Sequence, residues 1–255
     1  MAVAIGIPGY TRINANGARG HVVQRCHEAI ESILADETLY DYALRQPDRQ
    51  EYIGRAPAYA FALGEPCGRV VVRHAMRGGL LARSGSDLFF PPTRGLRELV
   101  NSLRLRRAGV PTPEVIAVVS YRAGAVLRRS DVATQEVAGS HDLAVVLREM
   151  GPSGDRDACL RAAGDLLGAL TRAGAHHPDL NARNILLTWD SAHGAAAHIL
   201  DIDRVRFHVP GDPMVARANL ARLVRSLFKL RDKRELDVTD RDVQVIAEAS
   251  GEPAQ

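Results

Sequence analysis

With 255 residues, 46% hydrophobic and 25% charged, the chain has the composition of a folded globular protein, enough for one large domain or two small lobes. A formal net charge of only +3 gives no electrostatic case for nucleic acid, while remaining compatible with an anionic ligand or a bilayer surface. No stretch approaches the roughly 20 apolar residues of a membrane span, and the N-terminus lacks the basic-then-apolar order of a secretory leader.

Residues 1–50 show helical spacing from His27 to Leu44, ended by Pro47, and otherwise read as an N-terminal extension. Residues 51–138 read as a small strand-rich lobe. The run Gly68–His74, β-branched through Val70, Val71 and Val72, predicts a strand entered from Gly64-Glu65-Pro66-Cys67-Gly68. Thr93 stands where it would cap a helix reaching Ala108, with Leu96, Leu99, Val100 and Leu103 at helical spacing and Gly109 at the stop. Beyond Pro111 and Pro113, Val115–Val119 and Ala125–Leu127 flank a turn at Arg122-Ala123-Gly124 and predict a hairpin.

Residues 139–255 are helical in character. Ser140 is the candidate cap of a helix from His141 to Met150, and Asp155 or Asp157 opens another that ends near Gly174. Leu220, Leu223, Val224, Leu227 and Phe228 form one stripe of a third helix, from Pro213 to Leu230. Ile185-Leu186-Leu187 and His198-Ile199-Leu200 read as two short strands. Strands before helices predict an α+β fold in two lobes. Cys26, Cys67 and Cys159, odd in number and far apart, predict neither a disulfide framework nor a metal site, and so a reducing compartment.

The chemistry concentrates in His176-His177-Pro178-Asp179-Leu180-Asn181-Ala182-Arg183-Asn184, a polar loop running directly into the first of those strands. The second strand ends in Asp201-Ile202-Asp203-Arg204. Pairing of the two as a hairpin would bring Asn184 and Asp201 out at one end, beside Asp179. An amide oxygen and a carboxylate suit a hard divalent cation, and a separate carboxylate can orient and deprotonate an attacking hydroxyl. Each residue type is also common in caps and turns, so it is their joint spacing that carries the reading.

The loop HPDLNARNILL resembles the protein-kinase catalytic loop H-R-D-L-x-x-x-N and its strand. More narrowly, it is similar to the 3-deoxy-D-manno-octulosonic acid (Kdo) kinases of the lipopolysaccharide kinase group, which carry H-x-D-L-N-x-x-N-I-L-L and then L-I-D-F-D-R; here Ile202 replaces the Phe. Arg73-His74-Ala75-Met76-Arg77-Gly78-Gly79 resembles that family's R-H-Y-x-R-G-G, with Ala75 for the aromatic. Ala218–Leu227 resembles its A-N-L-A-R-L-x-R-S-L helix. The resemblance covers about residues 50 to 232.

It implies a two-lobed protein-kinase-like fold with ATP in the cleft, Asp179 as base, and Asn184 and Asp201 as Mg2+ ligands. Asp203 either assists the metal or pairs with Arg204 or Arg206. Asn181 stands near the base or acceptor, and His177 is a structural support of the loop. No lysine precedes Lys229, so Arg73, followed by Glu98 on a helix, takes the place of the phosphate-binding Lys–Glu pair. Gly64 and Gly68 are either a phosphate-covering loop or a plain turn, and no G-x4-G-K-[ST] loop exists. The basic residues from Arg204 to Arg234 are a solvated face or a contact for lipid phosphates. The implied reaction is γ-phosphoryl transfer to the 4-hydroxyl of Kdo on lipid A, by a cytoplasmic enzyme peripheral to the inner membrane. The alternatives are a kinase of the same fold with another small-molecule or protein acceptor, and a pseudokinase scaffold.

Overall fold

In the computed structural model, which describes residues 6–52, 57–75, 93–124, 127–151, 153–190, 194–233 and 235–251, the chain divides into two units. Residues through Val100 and Glu114–Glu136 form the first; Asn101–Pro113 and the residues from Val137 onward form the second.

The first unit is built on β1 (Tyr10–Ala15), β2 (Ala18–Val23), α1 (His27–Asp36), α2 (Leu39–Arg45), β3 (Gln50–Tyr52), β4 (Ala58–Ala62), β5 (Arg69–His74), the start of α3 (Arg94–Arg107), β6 (Val115–Ala123) and β7 (Leu127–Gln135). Its strands make one antiparallel sheet in the order β1-β2-β6-β7-β5-β4-β3. Because side chains alternate across a strand, Val70, Val72, Ala117, Val119 and Ala133 fall on one face, where Ile30, Leu34 and Leu39 of α1 and α2 cover them. Val118, Val132 and Arg73 fall on the other, with Val118 opposite Val132 and Val132 opposite Arg73.

The first fifty residues are therefore part of this sheet and its core rather than an appendage. Asn16 and Gly17, both at positive φ (46° and 77°), turn β1 into β2, the geometry a two-residue hairpin needs. The single helix expected over 27–44 is two, because the Thr38 side chain accepts a hydrogen bond from the Asp41 amide and starts a new helix. Cys26 and Cys67, expected to be unpaired, are joined as a disulfide with their Cα atoms 5.6 Å apart. Their separation of 41 residues hid the pairing, and with it goes the cysteine argument for a reducing compartment.

The second unit contains the end of α3, β8 (His141–Asp142), α4 (Leu143–Glu149), α5 (Gly154–Arg172), β9 (Ala175–His176), β10 (Ile185–Asp190), β11 (Gly194–Ile199), β12 (Arg206–Phe207), α6 (Pro213–Asp232) and α7 (Asp240–Ser250). Caps decide the boundaries that the sequence left open. Asp142 caps α4 while His141 and Asp142 pair with β10, and Ser153, rather than Asp155 or Asp157, caps α5. The tail beyond Lys233 forms α7, opened by a Thr239–Asp242 capping box and closed by Gly251 at φ 81°.

α5 is the axis of this unit's core: Leu160, Leu167 and Leu170 pack with Leu223 and Leu227 of α6, Ile246 of α7, and Ile185, Leu187 and Ile199 of the β10–β11 hairpin. Arg156 of α5, buried, bonds both carboxylate oxygens of Asp242 and the carbonyls of Leu147, Met150 and Asp237, so one guanidinium fastens α7 to the unit. Among the described residues no helix is long and apolar enough to cross a membrane.

Candidate active site

β9 leads through His177–Asn181 and a 3-10 turn, Ala182–Asn184, into β10. Two turn bonds, Leu180 N to His177 O (3.1 Å) and Asn184 N to Asn181 O (3.0 Å), shape this loop, and side chains from α6 hold it further. Buried Asn219 accepts from the His177 amide (3.0 Å) and donates to the Ala175 carbonyl (2.9 Å), while Arg222 Nε donates to the Pro178 carbonyl (3.0 Å). The A-N-L-A-R-L stretch is thus the clamp of the loop. His177 is fully buried, and burial pushes its pKa below the ordinary histidine value. Its neutral ring donates from Nε2 to the Leu200 carbonyl (3.0 Å), tying the loop to the end of β11. That is a supporting role, as the resemblance implied.

Asp179 sits at the crown of the loop. Its own carbonyl accepts from Asn181 Nδ2 (2.9 Å) and Asn184 Nδ2 (3.1 Å), and Asn181 Oδ1 accepts in turn from the Arg183 amide (2.9 Å). β10 and β11 pair antiparallel with Ile185 opposite Ile199, and the Leu200 amide donates to the Asn184 carbonyl (2.8 Å). Asn184 and Asp201 therefore emerge at the same end of the hairpin, next to Asp179.

The donor set fits a divalent cation. With the Asn184 amide nitrogen committed to Asp179, its Oδ1 is left as an acceptor. Asp201, exposed and at φ 55°, has no hydrogen bond to its carboxylate among the described residues. Two such oxygens suit a hard divalent cation, which completes its shell from phosphates and water. Asp203, buried, lies on the 3-10 turn Ile202–Arg204 that follows. Asn101 holds that turn through the carbonyls of Ile202 (2.8 Å) and Val205 (3.3 Å).

Four side chains take roles that were not foreseen from sequence. Asn101 and the clamp formed by Asn219 and Arg222 act on main chain, which residue spacing does not report. Arg204, read as a partner for Asp203 or as part of a solvated basic face, instead places Nη1 2.5 Å from Asp179 Oδ2.

In the first unit, Arg73 Nη2 pairs with Glu98 Oε1 of α3. Glu98 is buried. Gly95, one turn earlier on α3, explains how they meet: a Cβ there would lie 2.7 Å from Val118 Cγ1 and 2.9 Å from Val132 Cγ2. Only glycine lets the helix approach the row Val118–Val132–Arg73 this closely. Gly64 (φ 86°) and Gly68 (φ 71°) are not brought to Arg73. They close the tight β4–β5 turn, with Leu63 N donating to Gly68 O (2.9 Å), at the opposite end of β5 from Arg73. The plain-turn reading accounts for both. Met76–Leu80, with Gly78 and Gly79, and Arg234 lie outside the described residues.

Comparison with known proteins gives a consistent setting for this geometry. Residues 55–249 match the model of the lipopolysaccharide kinase (Kdo/WaaP) family. A 3-deoxy-D-manno-octulosonic acid kinase of Stenotrophomonas maltophilia strain K279a is 33% identical over 187 residues, covering 72% of this chain and 71% of the relative. One from Xanthomonas oryzae pv. oryzae strain PXO99A is 32% identical over 225 residues, covering 87% and 84%. The solved structure of WaaP in complex with acyl carrier protein is similar in fold, with a TM-score of 0.52 at 20% identity, covering 86% of this chain and 85% of that one.

Proposed function

We propose a specific reaction for this chain, which belongs to the lipopolysaccharide kinase (Kdo/WaaP) family. Membership makes it a kinase that phosphorylates a sugar. In our reading the donor is ATP with Mg2+, and the acceptor is the 4-hydroxyl of Kdo on lipid A. Bound ATP-Mg2+ supplies the phosphoryl group and the cation that neutralises its charge.

The residues divide the rest of the work. Asn184 and Asp201 hold the cation, with Asp203 behind them. Asp179 accepts the hydrogen bond of the acceptor hydroxyl, aligns its oxygen and takes its proton. Asn181 fixes the Asp179 main chain. Arg73, oriented by Glu98, contacts donor phosphates in place of the usual lysine. Because the proposed acceptor is a glycolipid, the enzyme works from the cytoplasm at the surface of the inner membrane.

One observation carries this reading. The Asn184 amide nitrogen is fixed on the Asp179 carbonyl, so base and metal-binding oxygen are positioned by a single hydrogen bond of 3.1 Å. The test is transfer from ATP-Mg2+ to a Kdo-bearing lipid A precursor, read by mass, with Asp179→Asn alongside. One added phosphate on the Kdo, absent with the variant, is the expected result. Intact Mg2+-dependent ATP binding without any transfer would discard Kdo as acceptor and move the search to other sugars, proteins or a scaffold role.

A further inference from the structure

The carboxylate proposed to receive the acceptor's hydroxyl is already engaged: Arg204 Nη1 lies 2.5 Å from Asp179 Oδ2. Both side chains are accessible, at 52% and 32% relative exposure, so the pair faces solvent where an acceptor would arrive. Arg204 makes no other hydrogen bond among the described residues, and a guanidinium carries five N–H donors, so most of its capacity is open. Its root is not loose, since the turn it ends is held by Asn101 through the carbonyls of Ile202 and Val205.

From this juxtaposition we infer that Arg204 is the residue that reads the carboxylate of the proposed acceptor, which replaces Asp179 as its partner. The inference rests on the proposed reaction and deepens it by naming the residue that selects a sugar acid. A hydroxyl received by Asp179 must sit about 2.6–3.2 Å from that carboxylate. The open N–H groups of Arg204 then lie beside the ring that bears it. While the pair persists, Arg204 occupies the Oδ2 oxygen of Asp179. An incoming carboxylate offers the guanidinium a bidentate partner of the same charge, so one charge-assisted pair is exchanged for another and Asp179 is released to the hydroxyl. A neutral sugar offers no such exchange.

The test compares binding, by calorimetry, of the methyl glycoside of 3-deoxy-D-manno-octulosonic acid with that of its methyl ester. Wild type, Arg204→Gln and Arg204→Lys are used, with ATP KM and transfer rate measured on the same proteins. Wild type is expected to prefer the acid by about tenfold or more, Arg204→Gln to lose the preference, and Arg204→Lys to restore part of it, with ATP KM unchanged. Equal binding of acid and ester by wild type overturns the inference while leaving the kinase reading in place. So does an acid preference that survives in Arg204→Gln, or a rise in ATP KM alone, which would assign the guanidinium to the nucleotide. Binding of neither sugar overturns the inference and the Kdo acceptor together.

Discussion

The loop around Asp179 and the Arg73–Glu98 pair are held in place by different physics. In the second unit, Asn101, Asn219, Arg222 and His177 fix main-chain atoms, so the site residues inherit their positions from the backbone. In the first, two side chains meet directly, and their meeting depends on how closely α3 lies on the sheet at Gly95. A backbone-held site should tolerate changes at its tips while keeping its shape, and should fail when a clamp is cut. A packing-held pair should be sensitive to a single added methyl group.

The largest effect expected is that of Asp179→Asn, a tip substitution. Transfer should fall by about 10²–10⁴-fold in kcat with the thermal midpoint nearly unchanged, since the loop's own hydrogen bonds use the Asp179 carbonyl and its carboxylate makes only the solvent-facing pair with Arg204. Cutting the clamp should do the reverse. Asn219→Ala leaves the His177 amide and the Ala175 carbonyl unpaired in a buried place, at about 1–3 kcal/mol each. Denaturant unfolding should show that loss, and the activity that remains should not recover with excess ATP.

Gly95→Ala tests the first unit. Overpacking against Val118 and Val132 should cost about 1–3 kcal/mol of stability. If the pair is held by packing, ATP KM should also rise as Glu98 is displaced from Arg73, with acceptor KM unaffected. An unchanged ATP KM in a destabilised protein would break the comparison.

The smallest effect concerns pH, and contrasts the buried Arg156–Asp242 pair with these two. Burial alone would raise the Asp242 pKa, but hydrogen bonds from Arg156 and Thr239 outweigh it and hold the carboxyl below its ordinary value. A depressed folded-state pKa adds stability that is complete above the unfolded value, near about 3.9, and is lost as pH falls through the folded one. The midpoint difference between wild type and Asp242→Asn should therefore be widest near neutrality and narrow below about pH 4.

What could be read in the sequence follows the same division. The spacing of Asn184 and Asp201 across two β-branched or leucine-rich strands predicted the hairpin, because strand pairing converts spacing into position. Arg73 and Glu98 were legible by order along a strand and a helix, although Gly95, which permits their contact, carries no signal of its own. Asn16-Gly17 is a strong hairpin signal for β1 and β2, and it is this turn that ties the first fifty residues into the sheet. The Cys26–Cys67 pairing and the reach of Arg204 to Asp179 depend on tertiary contacts that no local pattern encodes.

The claim that Asn184 and Asp201 hold the cation, while Asp179 serves the hydroxyl, is tested most directly by titrating Mn2+ into wild type, Asp179→Asn and Asp201→Asn with ATP present, followed by electron paramagnetic resonance. Asp201→Asn is expected to lose most of the nucleotide-dependent Mn2+ binding, whereas Asp179→Asn retains it. Wild-type Mn2+ binding by Asp201→Asn would contradict the assignment.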